Sequence, residues 1–173
     1  MLLIRGEILD NTDRLVKKLL ETHATDTICF SSEGGDTEAS IRIGKLIDKK
    51  GFDTCLAERY KLNNEISLRG KDCLSACPYM FLTGKKRISL GDDFKIGVHS
   101  SGWAIGCCFL KLKITDNKSA MEGFKNMFLA TESKYDNKHI ELIDFASKTS
   151  YSGMECLNQS QLEYYSFFTQ KFK

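Results

Sequence analysis

Short apolar runs alternate with amphipathic segments of helical period along the first half of the chain, and few folds accommodate that alternation. Leu2 to Ile8 reads as a strand, and Asp10, Asn11 and Thr12 can cap a helix whose apolar stripe is Leu15, Val16, Leu19 and Leu20. Thr27 to Phe30 is a second strand that runs into Ser31-Ser32-Glu33-Gly34-Gly35. The next helix carries Ala39, Ile43, Leu46 and Ile47 on one face and stops at Gly51, the residue type favoured just past a helix end. Phe52 to Ala57 is a third strand, whereas residues 60–72 are polar, contain Asn63, Asn64 and Gly70, and read as a loop. Pro78 suits a first helical turn, so a helix opens close to Ser75 and stops at Gly84. Arg87 to Leu90 forms a short strand. From Phe94 to His99 the side chains alternate, with Phe94, Ile96 and Val98 on one face and His99 on the other. A two-sided strand at 108–114 precedes a helical remainder: a stripe of Ala120, Phe124, Met127 and Phe128, a break near Asp136-Asn137, then Ile140, Ile143 and Ala146, and a short closing helix at about 161–168. No repeat or linker interrupts the pattern, so residues 1–173 read as a single α/β domain.

Composition narrows the function. A chain of 173 residues can bury a sizeable core, and 42% hydrophobic with 28% charged residues is ordinary for a globular domain. Lys and Arg number 25 against 23 for Asp and Glu, a net charge of +2. So even a balance offers no electrostatic footprint for nucleic acid or an anionic membrane. No apolar run reaches the length of a membrane-spanning helix. The opening Met1-Leu2-Leu3-Ile4 is too short an apolar stretch for a signal peptide. The expectation is therefore a cytoplasmic protein if this N-terminus is native, or an exported one whose leader has been removed.

Seven cysteines stand at irregular spacing. Cys29 and Cys55 sit inside apolar runs, where a thiol behaves as a small hydrophobe. Cys73 and Cys77 lie four apart and no Cys/His pair at ligand spacing follows, so neither a metal nor another cofactor is expected. A Cys73–Cys77 disulfide is open to formation in an oxidising compartment.

Three features carry chemistry, each with a plainer explanation beside it. Gly34-Gly35 joins a strand to a helix, which a tight turn alone would explain. Glycine there also lets a backbone N–H approach a ligand and point at a developing oxyanion. Ser75 opens a helix, as capping serines do. In that position its hydroxyl is exposed, the N–H of Ala76 faces the same place, and the helix dipole favours an anion. Cys73 and Cys77 fall on either side of that turn and are the lesser nucleophile candidates. His99 ends an alternating strand, whereas His23 and His139 lie in polar, helix-associated stretches and read as solvated. Histidine is the side chain best suited to take a serine proton near neutral pH.

Taken in order, Ser32-Glu33-Gly34-Gly35-Asp36, Cys73-Leu74-Ser75-Ala76-Cys77 and Gly97-Val98-His99-Ser100 resemble the proteolytic subunit of Clp protease and its crotonase-fold relatives. With Phe81-Leu82-Thr83-Gly84 and Lys86-Arg87 between them, the set is most similar to periplasmic or secreted Clp-protease-like proteins. The resemblance is good over residues 2–102 and loose over the helical part at 115–173. It implies a spiral of β-β-α units and a serine peptidase acting on a peptide or protein. Ser75 would be the nucleophile and His99 its base, with the N–H groups of Gly34 or Gly35 and of Ala76 holding the oxyanion. It also implies a homo-oligomer, for which the strand at 107–114 and its following helix are the candidate assembly element. The family's third catalytic residue is an Asp that this chain lacks. Glu155 is the nearest acid to that position and Asp144 is more remote, so His99 is left to Glu155, a backbone carbonyl or no partner. The competing expectations are a Clp-protease-like peptide-binding module without efficient catalysis, and a crotonase-type acyl-CoA enzyme that would share the fold and the oxyanion N–H groups.

Overall fold

The computed structural model describes residues 1–62, 66–70, 72–100, 102–103, 115–116, 118–131, 136–150 and 153–172. The chain begins β1 (Leu2–Ile8), α1 (Thr12–Thr22), β2 (Thr27–Gly35), α2 (Thr37–Lys50) and β3 (Asp53–Ala57). It continues through β4 (Arg59–Leu62), β5 (Ile66–Arg69), β6 (Cys73–Leu74), α3 (Cys77–Phe81), β7 (Arg87–Leu90) and β8 (Ile96–Val98). Then come β9 (Gly102–Trp103), β10 (Thr115–Asp116), α4 (Lys118–Leu129), α5 (Asn137–Ala146), β11 (Glu155–Cys156), α6 (Gln159–Tyr164) and β12 (Gln170–Phe172).

Two sheets organise these elements. The main sheet is parallel, in the order β1-β2-β3-β7-β12. A smaller sheet runs β11-β8-β6, with β6 and β8 parallel. One unit repeats: a strand in the main sheet, a strand in the small sheet, then a helix. The first copy is β3, β6 and α3, with the β4–β5 pair between its strands. The second is β7, β8 and α4, with the β9–β10 pair ahead of the helix.

Local chemistry accounts for the best-defined helices. Asp36 caps α2 by accepting the Ala39 N–H at 2.7 Å, and Gly51 closes it in the left-handed conformation at φ 67°. Its buried face is Ala39, Ser40, Ile43, Gly44 and Ile47. A Cβ on Gly44 would stand 2.5 Å from Met127 Sδ, so that glycine sets how closely α2 and α4 approach. The α4 stripe of Ala120, Phe124, Met127 and Phe128 is buried as its spacing predicts. On α5, Asp136 is the cap at the expected break and accepts the Lys138 N–H.

Several expectations are corrected. Residues 60–72 are not simply a loop: β4 and β5 pair antiparallel, Tyr60 opposite Leu68. Tyr60 is buried, donates to the Phe30 carbonyl at 2.6 Å and accepts the Ala57 N–H at 2.9 Å. With Cys29, Cys55 and Ala57 it builds a second small core apart from the main one. On α1 only Val16 is buried, while Leu15 is 58% exposed. The closing helix is shorter than expected, and the chain beyond it supplies β12, an edge strand that sequence alone does not suggest. Cys29 and Cys55 face each other in register on β2 and β3 and are joined as a disulfide rather than lying as free thiols. His139 is buried, not solvated, on α5. The strand expected at 108–114 lies outside the described residues. Among the described residues no helix is long and apolar enough to cross a membrane.

Candidate active site

Strand direction brings the sequence-distant candidates together. β6 and β8 run parallel with Leu74 opposite Gly97, so their C-terminal ends, Ser75 and His99, emerge at the same edge. The Ser75 N–H donates to the Gly97 carbonyl at 2.9 Å and fixes that alignment. β2 delivers Gly34-Gly35 to the same place. A Cβ on Gly34 would lie 2.6 Å from Ser75 Cβ, 2.7 Å from the Leu74 carbonyl oxygen and 2.9 Å from the Ala76 nitrogen. The Ser75 turn therefore rests directly on the glycine. Gly35 is held on its other side, where a Cβ would meet the Ile8 carbonyl oxygen at 2.2 Å.

Ser75 has φ 60°, a left-handed backbone that a serine adopts only where the surroundings enforce it. A strand before it and a helix after it make a sharp turn with the side chain at its apex, the geometry that presents a nucleophile. A Cys73–Cys77 disulfide, with Cα atoms 5.3 Å apart, closes a small ring around this turn. It also removes both sulfurs from competition as nucleophiles. A Cys73→Ala/Cys77→Ala chain is expected to lose about 2 kcal/mol of stability by the loop-closure relation. Labelling of Ser75 by a fluorophosphonate should slow about tenfold, because the turn loses its clamp. Urea titration and labelling kinetics at fixed pH measure the two effects.

His99 is half-buried, and its Nδ1 lies 2.5 Å from the Ser100 carbonyl oxygen. A carbonyl only accepts, so the proton sits on Nδ1 and Nε2 is the basic nitrogen. Burial pushes the imidazole below its ordinary 6.5, and the Ser100 carbonyl partly offsets this by stabilising the charged ring. Burial thus favours the neutral ring, the form that accepts a proton. No hydrogen bond joins Ser75 Oγ to the His99 ring among the described residues.

Gly34, Gly35, Ser75, Ala76 and His99 all line one cavity of about 500 Å³. The Gly34 N–H donates to Ser32 Oγ at 3.1 Å, and Ser32 in turn donates to the Gly6 carbonyl at 2.6 Å. That leaves Gly35 and Ala76 as the better-placed amides for a ligand oxygen. Glu155 stands apart: it is exposed, pairs with Val98 and does not line the cavity. Asp144 is ion-paired with Lys125 at 2.5 Å. The cavity also receives residues that sequence reasoning missed: Glu7 and Glu33 from β1 and β2, Tyr79 from α3, and Met121 and Phe124 from α4. A signal for Tyr79 does exist, since it lies one helical turn beyond Ser75.

Two sheets, repeated strand-strand-helix units and a serine turn set against a Gly-Gly strand end define a Clp-protease-like α/β fold. Solved structures share it, two proteases among them. The catalytic domain of the ClpP protease from Plasmodium falciparum matches with a TM-score of 0.57 at 16% identity, over 99% of this chain and 84% of that one. A mutant of the 1510-N membrane-bound stomatin-specific protease matches with a TM-score of 0.63 at 15% identity, over 98% and 77%. At these identities the likeness is one of fold. No family profile and no curated protein matches the sequence.

Proposed function

We propose that this chain is a serine peptidase working through a Ser75–His99 pair. The observation that carries the reading is the Ser75 turn, held at φ 60° against Gly34 and opening into the cavity that His99 also lines. Ser75 Oγ attacks the peptide carbonyl as His99 Nε2 takes its proton. The N–H groups of Gly35 and Ala76 hold the oxyanion. The C–N bond then breaks as His99 returns the proton to the leaving nitrogen, and water hydrolyses the acyl-serine with the same base. The Ser100 carbonyl orients the imidazole through Nδ1. An extended peptide beside the Gly-Gly strand end suits recognition through backbone hydrogen bonds. The two disulfides fit an oxidising compartment.

A second reading, a peptide-binding module without catalysis, draws support from the lack of a Ser75–His99 hydrogen bond among the described residues. Fluorophosphonate labelling separates the two. The peptidase reading expects stoichiometric modification at Ser75, none in Ser75→Ala, and a rate about 10² to 10⁴ lower in His99→Ala. The rate should rise with pH through a midpoint below the ordinary histidine value and be flat above it, because only the neutral ring accepts the proton. No labelling anywhere between about pH 6 and 9 removes the peptidase reading and favours the module.

A further inference from the structure

Tyr79 carries a polar group that the proposed chemistry does not use. It lines the cavity from α3, one turn past the nucleophile, and is 2% exposed. Its ring packs against Phe124 with centroids 4.4 Å apart. Its hydroxyl is fully shielded and meets no hydrogen-bond partner among the described residues. Phenylalanine would fill the same place without the cost of burying an unsatisfied O–H, a cost that among the described residues His139 alone shares. Met121 and Phe124 make the neighbouring wall apolar, and Met121, unbranched and rotatable, is the side chain a ligand can displace. The carboxylates of the cavity, Glu7 and Glu33, come from β1 and β2 rather than from this wall, and they disfavour an anionic side chain.

We propose that Tyr79 is a specificity-determining residue whose hydroxyl hydrogen-bonds the tip of the substrate side chain on the carbonyl side of the scissile bond. The side chain it selects is uncharged, with an apolar stem and an amide end: glutamine, over an aliphatic chain of similar length. The stem lies along Met121 and Phe124 while the amide oxygen accepts the tyrosine proton. A site with a buried hydroxyl to satisfy rejects the analogue that cannot satisfy it. The inference rests on the serine peptidase reading for the identity of the reacting bond.

The test compares fluorogenic peptides carrying glutamine or norleucine at that position, cleaved by the full chain and by Tyr79→Phe. The expected ratio of kcat/KM, glutamine over norleucine, is about tenfold in the native chain and falls to about one in Tyr79→Phe. An unchanged ratio in the folded variant overturns the proposal. Without ligand, Tyr79→Phe should melt at or above the native temperature, since an unsatisfied hydroxyl is gone; a lower Tm means that the hydroxyl serves the fold and overturns the proposal too. Fluorophosphonate labelling of Ser75 is run alongside, so that failure of the peptidase reading shows separately. If nothing is cleaved, fluorescence anisotropy of labelled peptides ending in glutamine or norleucine, bound to Ser75→Ala with and without Tyr79→Phe, decides the matter. Preferential glutamine binding that vanishes with the hydroxyl supports the proposal, and equal binding removes it.

Discussion

Gly34→Ala is expected to reduce fluorophosphonate labelling of Ser75 by at least about a hundredfold, and to destabilise the fold as well. Two costs combine. At φ 90° an alanine is strained wherever it sits, which costs about 1 kcal/mol or more. Its methyl would also stand 2.6 to 2.9 Å from Ser75 Cβ, the Leu74 carbonyl oxygen and the Ala76 nitrogen. Two of those three atoms are backbone, so no side-chain rotation relieves the contact. The turn itself has to retreat, by roughly an ångström, and a displacement of that size in a reacting group costs about 10²-fold in rate. The same movement drags the Ala76 amide away from the oxyanion position. Gly51→Ala is the control. It has φ 67° but nothing within 4 Å of its Cβ position, so it should cost about 1 kcal/mol and leave labelling intact. Labelling of Gly34→Ala at the native rate would mean that the Ser75 turn does not depend on the glycine.

What was legible in the sequence follows from how local each cause is. The caps of α2 are local: Asp36 reaches an amide three residues on, Gly51 closes the helix in its own conformation, and both are visible in the pattern. His99 was legible as the end of an alternating strand and Ser75 as the opening of a helix. The two-residue β6 before Ser75 and its parallel pairing with β8, which bring both to one edge, are too short and too non-local to read. The hairpin was hidden because Arg59, Lys61, Ser67 and Arg69 make the stretch look polar, while Tyr60 and Leu68 pack into the small core beside Cys29 and Cys55. β12 could not be read, since Gln170, Lys171 and Phe172 are all exposed and their pairing with β7 is imposed by the finished sheet. The Cys29–Cys55 disulfide depends on the register between β2 and β3, which no spacing in the chain encodes. Nor does the chain announce that the Nδ1 partner of His99 is a neighbouring carbonyl, because that depends on how the backbone leaves β8.

His139 gives the other large effect, on stability as a function of pH. It is 3% exposed, neither ring nitrogen has a hydrogen-bond partner among the described residues, and it packs on Phe128 with centroids 5.5 Å apart. Burial holds the imidazole neutral and pushes its pKa down to about 4; the charge of Arg87 acts in the same direction and that of Asp136 against it. In the unfolded chain the ring titrates near its ordinary 6.5. Between those values the unfolded state binds a proton that the native state refuses, so stability rises with pH and is lost as pH falls below the unfolded value. The expected loss is about 2 kcal/mol by pH 5 and about 3 kcal/mol by pH 4, where it levels off. His99 is depressed in the same direction, so the informative comparison is the native chain against His139→Leu. Urea midpoints followed by circular dichroism should converge on acidification, the variant losing about 2 kcal/mol less between pH 7 and 5. Parallel curves would mean that His139 takes up its proton equally in both states. His139 meets α4 at Phe128, one helical turn from the Phe124 that lines the cavity, so the proton that destabilises the fold enters beside the helix that supplies the cavity wall.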